Sequence, residues 1–205
     1  MHPLKLFSDV FIHTPHRAPD GRGGFTQIFS TTGFASATGF PLSLEQAVVS
    51  TSTAHTIRGL HYSSALSPRA KYLTCVAGRI VDVVVDVREG SDTFGQHATV
   101  ELSADNAKSI FVPPGYAHGF LALEDSTVLH LDSEERDPEE EFVLNAFDAA
   151  LGIDWPIAPA EAHLTPADAD APTLAAATLP HIDDLQETIS LWKDMWVIAN
   201  EQAGA

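Results

Sequence analysis

The sequence predicts a mostly β chain, a sandwich or barrel of short strands carrying a helix at its C-terminal end. Three observations predict it. Between residues 70 and 131, Val-, Ile- and Leu-rich segments of strand length alternate with turn-forming residues. In one of them, "RIVDVVVDV", Val81, Val83, Val85 and Val87 form an apolar face while Asp82 and Asp86 share the other. From His181 onward, apolar residues recur every three or four positions, at Ile182, Leu185, Ile189, Trp192 and Trp196, which is the spacing of an amphipathic helix lying on a β core.

Taken in order, "GFTQIF" and "LEQAVVSTS" are the strand-like pieces of the N-terminal third. "AKYLTCV" ends at the Ala77-Gly78 turn and leads into "RIVDVVVDV". After the loop "REGSDTFGQ" come "HATVEL", "KSIFV", "HGFLALE" and "TVLHL", separated by "SADNA", "PPGYA" and "EDS". Beyond Asp132 the character changes. "DSEERDPEEEF" reads as a solvated acidic stretch, and "PIAPAEAHLTPADADAPTLAAATLP" as an extended loop rich in Pro, Ala and Asp. No internal repeat is visible.

Composition narrows the function. The chain has 205 residues and 44% apolar content, enough for one domain with a sizeable core. The net charge of −17 argues against nucleic acid or an anionic membrane surface as partner, since both are held by basic patches. Apolar runs fall far short of the roughly 20 residues that span a bilayer, and the N-terminal stretch lacks the apolar core of an export signal. One cysteine, Cys75, fits a reducing compartment, and a cytoplasmic protein is expected.

Against that acidic background, "TIRGLHYSSALSPRAKYL" gathers Arg58, Arg69 and Lys71 around His61. Such a cluster can hold a phosphate inside an acidic protein. His61 can accept a proton near neutral pH, and a lysine beside it can stabilise an oxyanion, a pairing suited to proton abstraction next to a carbonyl. Spacing alone does not separate this from a hydrogen-bonded core histidine, a solvated lysine and a structural arginine ion pair. "PPGYAH" has the Pro-x-Gly-x-x-His form of a metal-cupin half-signature. Its other half is only His61-Tyr62-Ser63 with no Glu close behind, so no metal is expected.

Together, "RGLHY", "AKYLTCVAGRIVDVVVDVREGSDTFGQ", "VPPGYAHGFLAL" and "DAALGIDWP" resemble the dTDP-4-dehydrorhamnose 3,5-epimerase family, from about residue 8 to residue 172. The resemblance implies a cupin jelly-roll β-sandwich over residues 1–180 with a helix over 181–205 packed on it. It implies no metal and no cofactor, and a homodimer sharing its N-terminal strands. The implied activity is epimerisation of a dTDP-4-keto-6-deoxyhexose at C3, C5 or both. His61 falls at the family's base, and Asp168, with Asp170 as a neighbouring alternative, at the carboxylate that orients it. Lys71 matches the oxyanion-stabilising lysine, Arg58 an arginine on the diphosphate and His118 a further active-site histidine. Arg22 and Phe25 match residues that reach the nucleotide in the partner subunit, and Gln46 a thymine-side contact.

Four positions depart from the family pattern. His130 stands where the family has the tyrosine that returns the proton from the opposite face of the sugar, and Arg136 replaces a second aromatic. Gln27 stands for a Glu and Val48 for an Asn in the same substrate-binding set. None of the chain's tyrosines, Tyr62, Tyr72 and Tyr116, aligns with the proton donor. His130 has three readings: a protonated imidazole serving as the replacement acid, part of a pocket reshaped for another substrate, or a bystander after catalysis decayed. The departures keep open a relative repurposed for isomerisation, cyclisation or elimination on a different carbonyl substrate of a secondary-metabolite pathway. They also leave open a non-catalytic sugar-nucleotide binder.

Overall fold

The computed structural model of the chain describes residues 1–39 and 42–203; the side chains of residues 195, 196 and 199–203 lie outside that description, and with them the expected helix position Trp196. The chain runs through β1 (His2–Pro3), β2 (Phe11–His13), β3 (Arg17–Asp20), β4 (Gly23–Thr26), α1 (Thr31–Thr38), β5 (Gln46–Ser52), β6 (Ile57–Ser63), β7 (Lys71–Ala77) and β8 (Arg79–Asp86). It continues through β9 (His97–Ser103), β10 (Ser109–Val112), β11 (Tyr116–Ala122), β12 (Ser126–Asp132), β13 (Glu141–Val143), α2 (Pro166–Ala169) and α3 (Ile182–Ala203). A six-stranded sheet, β1-β2-β10-β7-β12-β5, faces a five-stranded sheet, β13-β6-β11-β8-β9, and β3 and β4 form a separate hairpin. All strand pairs are antiparallel, and sequence neighbours such as β7 and β8 lie in different sheets, the crossing pattern of a jelly roll.

Strand alternation builds three apolar layers. One joins both sheets and contains Leu73, Cys75, Ile80, Val84, Ile110, Phe120 and Val128. The valine face of β8 points the other way. Val83, Val85 and Val87 pack with Ile57, Tyr62 and Leu121 beneath Leu144, Ala146, Leu151 and Trp155 of the long segment after β13. Each such fully buried side chain is worth about 1.5–3 kcal/mol. The extended loop expected from composition is therefore a cover that seals the outer face of the five-stranded sheet. On the outer face of the six-stranded sheet, Phe34, Ala70, Tyr72 and Phe111 pack with Ile189 and Trp192 of α3, so those positions of the predicted helix face the β core. No helix among the described residues is long and apolar enough to cross a membrane.

Helix α1 is an element the strand-based reading does not contain. Ser30 caps it by accepting from the Gly33 amide, and Gly39, at φ 64°, ends it by donating to the Ala35 carbonyl. The acidic stretch also departs from expectation. Asp132 is 7% exposed, and Glu141 pairs with Arg69 inside the fold. Strand pairing of β12 and β13 draws these two carboxylates inward, so only the turn between them is solvated.

Candidate active site

A cavity of about 400 Å³ opens between the sheets. Its lining includes His61, His118 and Phe120 from the five-stranded sheet, and Gln46, Val48, Ser50, Lys71, His130 and Asp132 from the six-stranded sheet. Gly59 sets how closely β6 and β11 approach behind it. Its φ of 104° is left-handed, and a Cβ there would lie 2.6 Å from the His118 carbonyl oxygen and 2.8 Å from the Gly119 Cα. His61 and His118 are register partners across this pair, which places the two imidazoles side by side on one wall.

Each imidazole has its own carboxylate. His61 Nε2 lies 2.9 Å from Asp168 Oδ1. Asp168 sits in α2, capped by Thr165, whose hydroxyl accepts from the Asp168 amide and donates to Asp168 Oδ2 at 2.8 Å. The arm bearing α2 is pinned beside β6, where the Ile57 amide donates to the His163 carbonyl at 3.1 Å and the His163 amide to that of His55 at 2.9 Å. Burial pushes the Asp168 carboxyl upward, but its bonds from His61 and Thr165 outweigh that and hold it below the usual carboxylate range. An ionised Asp168 accepts from Nε2–H and leaves the lone pair of His61 Nδ1 as the basic site. Asp170 makes no such contact; its amide closes α2 on the Pro166 carbonyl. His118 Nε2 is 2.6 Å from Asp82 Oδ2, with both side chains buried.

The opposite wall is built differently. Lys71 is buried, and its Nζ donates to the His61 carbonyl at 3.1 Å, tying the ammonium to the His61 backbone. Desolvation, reinforced by Arg69, pulls Lys71 down to about 8 despite Glu141, Asp132 and Asp82 nearby. His130 bonds through Nε2 to Ser50 Oγ at 3.0 Å. Burial, followed by His118, Lys71, Arg58 and Arg69 around it, pulls His130 down to about 3 and favours its neutral form. Of the three readings of His130, these surroundings weigh against the protonated donor, since a desolvated ring near His118, Lys71, Arg58 and Arg69 holds a second proton weakly.

Arg58 lines the cavity while bonding to Ser52 Oγ at 2.9 Å and the Thr51 carbonyl at 2.7 Å. Arg136 lies at the rim and pairs with Glu141, which also holds Arg69. Three expected contacts lie outside the cavity within one protomer. Arg22 is exposed and pairs with Asp20, Phe25 is 73% exposed on β4, and Gln27 faces a separate hollow with His13, Phe34 and Tyr72 outside the six-stranded sheet. Among the described residues no three His, Cys, Asp or Glu side chains converge as metal ligands. Sequence reasoning missed Asp82, Asp132, Glu141, Ser50 and Thr165. Asp132 was within reach, because it lies two positions after His130 and a strand puts both on one face.

The family profile described as dTDP-4-dehydrorhamnose 3,5-epimerase matches residues 5–176. The chain is 41% identical over 182 residues to the dTDP-4-dehydrorhamnose 3,5-epimerase of Mycobacterium tuberculosis, covering 86% of this chain and 90% of that one. It is 39% identical over 178 residues to the dTDP-4-dehydrorhamnose 3-epimerase of Streptomyces niveus, covering 86% and 84%. Among solved structures, ChmJ, a 3'-monoepimerase from Streptomyces bikiniensis in complex with dTDP-quinovose, superposes with a TM-score of 0.89 at 35% identity, covering 94% of this chain and 98% of that one. Fold, profile and relatives agree: this jelly-roll chain belongs to the dTDP-4-dehydrorhamnose 3,5-epimerase family.

Proposed function

We propose that the protein is an isomerase that epimerises a dTDP-4-keto-6-deoxyhexose at C3, C5 or both. The observation that carries this reading is one cavity in which an imidazole oriented by Asp168 stands beside a buried ammonium tethered to its own backbone. His61 Nδ1 takes the proton from the carbon next to the C4 ketone, the electron pair moves onto the ketone oxygen, and Lys71 stabilises the enolate so formed. Arg58, Gln46, His118 and Arg136, all on the cavity lining, are the proposed substrate contacts. The dTDP-quinovose bound to ChmJ supports a nucleotide sugar as ligand.

The active form proposed is a homodimer that shares N-terminal strands, with Arg22 and Phe25 reaching the partner's nucleotide. The exposed β3–β4 hairpin, and Val48 and Val49 exposed on the edge strand β5, support it. The test is NMR of the keto-sugar nucleotide with the protein in D2O. Deuterium entering at C3 or C5 is expected, and its position identifies the carbon inverted; none at either carbon rejects the reading.

A second reading is favoured by one observation, an imidazole on the cavity wall bonded to Ser50 where the family pattern has its proton-donating tyrosine. It is a relative using the same base and lysine on another carbonyl substrate. Calorimetry with dTDP separates the two, because the epimerase needs to bind that nucleotide and the alternative does not.

A further inference from the structure

Inversion needs a proton delivered to the face opposite the base, and the three tyrosines are all committed elsewhere. Tyr62 donates to the Thr178 carbonyl under the C-terminal arm, Tyr72 to the Ile28 carbonyl outside the six-stranded sheet, and Tyr116 to Asp9. None lines the cavity. His130 is bonded through Nε2 to Ser50, and its burial among cationic side chains favours the neutral ring. Lys71 is tied to the His61 backbone, and the epimerase reading assigns it to the enolate oxygen.

One further acid remains on that wall. Asp132 follows His130 on the inward face of β12, is Cα register partner of both Lys71 and Gln46, and lines the cavity. It is more than nine-tenths buried, and its Oδ1 is buried with no hydrogen-bond partner. A carboxylate left this way is costly unless it is protonated or a ligand completes it.

We propose that Asp132 is the proton donor of the reaction, acting from the six-stranded wall across the cavity from His61. This rests on the epimerase reading above. His61 removes the C–H proton and the electron pair passes to the carbonyl oxygen. The Asp132 carboxyl then gives its proton to the same carbon from the other side as the ketone re-forms. His61 is left protonated and Asp132 ionised; solvent takes one proton and returns one, so the net change is inversion with one hydrogen exchanged.

The surroundings agree. Lys71 on β7, Arg69 before it and His118 on β11 favour the carboxylate, while burial and Glu141 on β13 oppose it; the balance raises Asp132 above the ordinary carboxyl range. A diphosphate and an enolate entering the cavity add negative charge and push it further toward the acid form.

The test compares the unmodified protein, Asp132→Asn and His130→Phe on dTDP-4-keto-6-deoxyglucose in D2O, following exchange and configuration separately. Asp132→Asn is near-isosteric. It is expected to keep exchange within about threefold while inversion falls by about 100-fold, deuterium being delivered to the face the proton left. Inversion unchanged in Asp132→Asn, or lost only in His130→Phe, overturns the inference. So does an equal loss of exchange and inversion, which would mean Asp132 acts through Lys71. In protein carrying 13C-labelled aspartate, the carboxyl resonance missing from Asp132→Asn should titrate above the ordinary range; titration within or below it overturns the assignment without any turnover. Absence of exchange in the unmodified protein is a different result, since it rejects the epimerase reading itself.

Discussion

The two walls of the cavity hold their reactive groups by opposite means. On the five-stranded side each imidazole leans on a carboxylate: His61 on Asp168 and His118 on Asp82. Hydrogen bonds there fix tautomer and direction. On the six-stranded side Lys71, His130 and Asp132 have no ion-pair partner within bonding distance among the described residues, and burial moves all three toward their neutral forms. The difference teaches that orientation and proton affinity are tuned separately. The five-stranded side braces its imidazoles with carboxylates, Asp82 itself being fully buried, and the six-stranded side leaves its three groups without such a brace.

The sharpest way to break this contrast is to remove the proposed base. His61→Asn should lower exchange by about 10²–10⁴, read as loss of deuterium incorporation. A small effect would move the base elsewhere. Lys71→Met keeps the volume and removes the ammonium, and should cost about 10²–10³ in kcat with binding of dTDP little changed in calorimetry. Asp168→Asn tests the brace. It removes a charge-assisted bond worth about 1.5–3 kcal/mol, so the loss in rate should be about ten- to a hundredfold, smaller than losing His61 itself.

The dry wall has its own signature in pH. In the proposed mechanism Lys71 acts as the ammonium; with its pKa drawn down to about 8, kcat/KM should fall about tenfold per unit beyond that point. The limb in kcat should lie higher, because a bound diphosphate favours the charged lysine. A limb that stays flat to pH 10 would place Lys71 in a wetter setting. Smallest of all, Arg136→Ala should change stability by no more than about 1 kcal/mol in a denaturant titration, since its side chain is mostly exposed even though Glu141 is not.

Legibility in the sequence followed periodicity. The strands from β7 to β12 stand out because Val and Ile alternate between turn residues, and Leu185, Ile189 and Trp192 stand out because helical spacing repeats. Helix α1 lies in a short run of Thr, Ser, Ala and Gly with a single buried apolar anchor, Phe34, so only its cap residues announce it. The site was legible where motif and family coincide, at His61, Lys71 and His118. Asp168 was named through the resemblance alone, because 107 residues separate it from His61 and no local pattern links them. Asp132 and Glu141 were hidden in a run of acids whose interior character comes from strand pairing. The weakened proton affinity of His130 comes from burial and from His118, Lys71, Arg58 and Arg69 converging from other segments, which no window of sequence displays.

The arm after β13 has one more consequence. The same length of chain that shields the valines of β8 also carries Asp168 to His61. Assembly and competence are thus welded together. A chain with both sheets formed but this strap loose would leave the His61 imidazole without the carboxylate that aims it.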